Sequence, residues 1–147
     1  MNTQEKAKQL IQYYCNYYGF EPEKLKRNNK YQPSRVILGE DGYINTSAIR
    51  MALGYFIYMH FPMRVIEVAK LVGYTDHSPL SSQRSTIQHY IKTEDPYFYP
   101  YYKKLLEFAD LLDINTEYKR LTQNYATFVR HETNDEFAEQ IKYYENA

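Results

Sequence analysis

Few residue types in this chain stand where they could do covalent chemistry. The four histidines, His60, His77, His89 and His131, never fall at the i, i+4 spacing that lets two imidazoles share a metal on one helix face. A lone cysteine, Cys15, forms neither a Cys-rich zinc site nor a disulfide within the chain. Asp76-His77-Ser78 contains the residue types of a hydrolytic triad, but side chains on adjacent residues do not converge as a triad requires. The five glycines nowhere form a phosphate-cradling loop. The expectation is therefore a non-enzyme with no cofactor, no metal and no small-molecule substrate.

The chemistry that the sequence does offer is recognition. From about 79 to 93, Leu80, Ile87 and Ile91 point in nearly one direction at helical spacing. The opposite face carries Ser82, Ser85, Thr86, His89 and Lys92, with Arg84 on the flank and no acid. Hydroxyls and imidazoles hydrogen-bond base edges, and a threonine methyl can touch the methyl of thymine. An acid on that face would repel phosphate, whereas a lysine or arginine at its rim supplies salt-dependent affinity.

The elements that must position this face read as helices throughout. Residues 4–18 put Leu10, Ile11, Tyr14, Cys15 and Tyr18 on one stripe, ended by Gly19. Residues 20–25 form a turn into a short helical piece. A long loop over 28–45 follows, with Tyr43-Ile44 extended inside it. Asn45 or Thr46 caps a helix to about 61 that is apolar nearly all round, as a central helix is. Pro62 breaks it and can start another helix, and residues 63–72 place Val65, Val68, Ala69 and Val72 on one face before Gly73. A helix around 100–113 and one or two acidic helices over 116–146 complete the chain. The class is all-α, a bundle of five to seven helices in which 63–72 and 79–93 have the pattern of a helix-turn-helix.

Charge divides the chain. Residues 24–92 hold ten Lys and Arg against four acids, a net of +6, while residues 93–147 hold six against eleven, a net of −5. Such a split suggests a basic working surface and a separate acidic tail, and the organisation expected is a domain over 1–112 with an acidic helical extension over 113–147. The apolar run from Ala52 to Met63 is too short to span a bilayer, and the start, Met1-Asn2-Thr3-Gln4-Glu5, does not resemble a signal peptide. A cytoplasmic protein without a membrane partner is expected.

At these residues the chain resembles the C-terminal DNA-binding domain of the bacterial chromosomal replication initiator, DnaA. The segment Ile11 to Arg27 resembles the opening of that domain, a helix followed by a basic loop. Arg50-Met51-Ala52-Leu53-Gly54-Tyr55-Phe56 is similar to its central helix, and Ile66 to Gly73 to the first helix of its motif. Arg84-Ser85-Thr86-Ile87-Gln88-His89 resembles its recognition-helix signature, although Gln83-Arg84 stands where the family has Asp-His. A second register sets Asp76-His77-Ser78 on that signature but then meets Pro79. The likeness covers roughly 8–110 as a series of short blocks, and nothing in this sequence corresponds to the initiator's ATPase module.

What the resemblance implies is a Trp-repressor/replication-initiator-like helical domain that binds double-stranded DNA in replication or transcription control, with a mobile element as one setting. It would put a basic-loop cation, Arg27 or a neighbour such as Lys30, in the minor groove. Arg50 would lie on the phosphate backbone, and Arg84, Ser85, Thr86 and His89 would face the major groove. On this reading Arg27, Arg50 and Arg84 share one positive face. Two other readings stay open at this point: Arg50 as a structural arginine paired with Glu67 or Asp41, and His89 as a capping or merely solvated residue. The rival to DNA binding is a protein-interaction module, or a homodimer, working through the 18 tyrosines or the acidic tail.

Overall fold

The computed structural model of the chain describes residues 2–26, 37–39 and 42–116. Helix α1 spans Thr3–Tyr18, and a 3-10 turn follows at Pro22–Leu25. Strands β1 (Ile37–Gly39) and β2 (Gly42–Ile44) pair antiparallel with Ile37 opposite Ile44. Five helices complete the described chain: α2 (Thr46–His60), α3 (Val65–Val72), α4 (Ser78–Ser82), α5 (Arg84–Thr93) and α6 (Tyr99–Leu111). Among the described residues the fold is all-α apart from this ribbon of two three-residue strands. No helix among the described residues is long and apolar enough to cross a membrane.

Helix α1 begins in a capping box. The Asn2 side chain accepts from the Glu5 backbone N–H at 2.8 Å, and the Glu5 carboxylate answers the Asn2 N–H. It ends at Gly19 in the left-handed region. Its stripe of Ala7, Leu10, Ile11, Tyr14 and Cys15 is buried.

Helix α2 is the hub. The Asn45 side chain caps it by accepting from the Ala48 N–H, and twelve of its fifteen residues are buried. Leu53, Phe56 and Ile57 are wholly enclosed, each contributing about 1.5–3 kcal/mol of apolar burial. Around α2 pack the 3-10 turn, α3, α4, α5 and α6. Gly54 sits mid-helix because α4 comes close: a Cβ there would lie 2.7 Å from the Leu80 side chain.

Two boundaries differ from the sequence expectation. Pro62 does not open the next helix; α3 begins at Val65 with Arg64 at its cap. The helix expected over 79–93 is two helices, because Gln83 takes φ −91° and ψ −3°, ending α4 and starting α5. Leu80 and Ile87 are both buried, so the bend at Gln83 keeps both anchors in the core.

The extension expected over 113–147 falls outside the described residues from 117 onward. Before that point Asp113 turns the chain at φ 54° and Ile114 returns to the core.

Candidate nucleic-acid interface

The expected recognition face lies mainly on α5, with its first residue, Ser82, on α4. Ile87 is buried at the core side of α5, Ile91 is half-buried, and the Tyr90 ring packs 5.7 Å from that of Phe98. These contacts turn Ser85, Thr86, His89 and Lys92 to solvent, and Ser82 on α4 is exposed as well. The His89 carbonyl accepts a hydrogen bond from the Thr93 hydroxyl at 2.9 Å, while its ring stays exposed. Arg84, the first residue of α5, is half-buried. No acid stands between Asp76 and Glu94.

Helix α3 precedes this unit and ends at Gly73, with φ +97°. A turn over 74–77 leads into α4, where the Asp76 carboxylate accepts from the Ser78 N–H at 2.8 Å. The second register thus places its Asp-His-Ser at a helix start, with Asp76 occupied in a local turn. Pro79 stands in the first turn of α4, where its missing N–H costs nothing.

Gly73 is a point of close approach. A Cβ there would meet the Leu25 carbonyl oxygen at 2.5 Å and the Lys26 Cα at 2.9 Å. The end of the 3-10 turn is therefore held against the turn of the α3–α4 unit. Lys26, and Lys70 on the last turn of α3, are exposed beside it.

Arg50 corrects one expectation. It is 6% exposed, and its Nε donates to the Leu25 carbonyl oxygen at 2.8 Å. Its guanidinium carbon lies 5.7 Å from the centre of the Tyr74 ring, within cation–π range. A side chain so enclosed leaves no face for a phosphate, so Arg50 is not part of an exposed positive surface with Arg84. It acts as a structural arginine, with a backbone carbonyl as partner. The Tyr74 hydroxyl reaches the Gln83 side-chain oxygen at 3.5 Å, so Tyr74 stands between Arg50 and the first residues of α5. Arg27 and Lys30 lie outside the described residues.

The sequence reading missed two features here. One is the burial of His60, whose ring lies 4.7 Å from that of Phe56. The other is a cleft behind α5, between that helix and α2 and α6. Neither leaves a mark in spacing, because both arise from packing between distant segments. Comparison of the chain with protein-family models, curated proteins and solved structures found no match.

Proposed function

We propose that this chain binds double-stranded DNA with sequence preference, seating α5 in the major groove, in control of replication or transcription. The observation that carries the reading is the exposed face of Ser85, Thr86, His89 and Lys92, free of acids and borne on a helix that follows α3 and its glycine turn. The anchoring of Leu25 and Lys26 beside that turn supports it, because it holds the exposed cation Lys26 next to the same unit. The resemblance to the replication initiator's DNA-binding domain points the same way.

Fluorescence anisotropy with a random-sequence duplex pool at two salt concentrations tests this. Wild type binds at low salt, and its affinity falls steeply as salt rises. Ser85→Glu puts an acid in the first turn of α5, where the helix dipole favours it, so folding is kept. Binding by this variant weakens by about tenfold or more. A folded wild type that shows no salt-dependent binding sinks the proposal.

A second reading has its own observation. Tyr97 is 80% exposed and Leu111 75% exposed, with Tyr13 and Tyr17 about half exposed. Such residues suit a protein partner, and that reading gains if duplex DNA does not bind.

A further inference from the structure

The cleft behind α5 has a volume of about 330 Å³, at the small end of ligand-binding pockets. Tyr55, Met59 and His60 of α2, Gln88, Ile91 and Lys92 of α5, and Tyr102 of α6 line it. Met59, Ile91 and two tyrosine rings provide apolar surface, and the lining has no carboxylate and one donor-only group, the Lys92 ammonium.

The rings of Tyr55 and Tyr102 are largely buried, their hydroxyls are not enclosed, and neither hydroxyl is hydrogen-bonded within the described residues. Gln88 and Lys92 are exposed, and Lys92 forms no ion pair among the described residues. Two hydroxyls, one amide, one imidazole and one ammonium around an apolar floor, with no carboxylate among them, complement an anion attached to an apolar body.

We propose that the cleft between α2, α5 and α6 binds a small carboxylate with an aromatic body of one or two rings. The body lies against Met59, Ile91 and the tyrosine rings, and the carboxylate accepts from the side chain of Lys92 and from the neighbouring donors. The site shares Lys92 with the face proposed for DNA, so an anion seated there competes with phosphate for one cation. That consequence alone rests on the DNA reading.

The test is a titration of the full ¹⁵N-labelled chain with 2-naphthoate, followed by NMR and run without DNA. Saturable shifts are expected at Tyr55, Met59, Gln88, Ile91, Lys92 and Tyr102. Neutral 2-naphthamide binds about tenfold more weakly, and Lys92→Gln weakens the carboxylate by a similar factor while leaving the amide unaffected. Tyr102→Phe, which removes only a hydroxyl, weakens the carboxylate severalfold. Shifts that fail to saturate, or that are the same for acid and amide, overturn the proposal. In the duplex titration, saturating 2-naphthoate lowers the salt slope by about one phosphate contact. An unchanged slope overturns the competition. A chain that never binds duplex sinks the DNA reading and leaves the NMR result for the cleft standing.

Discussion

Arg50 and Leu25 are joined across the body of the protein, side-chain Nε to backbone oxygen at 2.8 Å, with the Tyr74 ring beside the guanidinium. The bond ties the central helix to the last residue of the 3-10 turn. Arg50→Met keeps most of the side-chain volume but leaves the Leu25 carbonyl without this donor. Stability falls by about 1.5–3 kcal/mol, the usual worth of a buried hydrogen bond to a charged group. Urea denaturation followed by circular dichroism measures it. An unchanged midpoint would return Arg50 to the class of surface cations.

Two glycines with positive φ give a matched pair. Gly19 has φ +85° and open space around a Cβ, while Gly73 has φ +97° and the Leu25 backbone in the way. Gly19→Ala costs about 1–2 kcal/mol, for the left-handed conformation alone. Gly73→Ala adds a collision with backbone that no rotamer relieves, so its loss is at least twice as large. Equal losses in thermal denaturation would show that the close approach to Leu25 contributes nothing.

Burial raises the Tyr14 hydroxyl above the ordinary tyrosine range, and pushes Tyr18 and Tyr102 up to about 12 from 10. Tyr14 also donates to the Tyr101 carbonyl at 2.6 Å. The folded state therefore holds protons that the unfolded chain releases above pH 10. The stability these groups lend is complete below that pH and is lost as pH rises through about 12. Phenolate absorbance at alkaline pH should show a late phase that coincides with loss of helical ellipticity. Ionisation of every tyrosine ahead of unfolding would contradict the packing described for Tyr14.

Cys15 is wholly enclosed on α1, and its thiol is pushed up to about 12 by burial, with Glu21 and Glu23 adding to the effect. A thiolate is the reactive form. In native protein at pH 8 Cys15 should react with a disulfide reagent only through opening of the helix, and within seconds once urea is added. Fast reaction of the native protein would place the thiol at the surface.

The legible part of the fold is the part written locally. The Gly19 and Gly73 ends, the Asn45 cap, the apolar α2 and the stripe of α1 all follow from neighbouring residue types, as does the outward face of α5. The break at Gln83 does not. Leu80, Ile87 and Ile91 keep helical spacing across it, and no glycine or proline stands there; docking of both α4 and α5 on α2 decides it. Arg50 was open to misreading for a similar reason. Its partner is a backbone carbonyl, and a carbonyl has no residue type to reveal it. The cleft behind α5 is likewise invisible, because its walls come from three segments that meet only in the folded chain.

The body holds the chain on both sides of residues 27–44. Before them, Leu25 is clamped by Arg50 and by the close approach of Gly73. After them, the Asn45 N–H donates to the Tyr101 hydroxyl at 3.3 Å, and the Asn45 side chain caps α2. The two attachment points are thus set by core contacts, and closure entropy rises by only about 0.6 kcal/mol per doubling of loop length. Both ends of this stretch are therefore fixed by the body itself, so a substitution confined to residues 27–44 leaves the two attachment contacts intact.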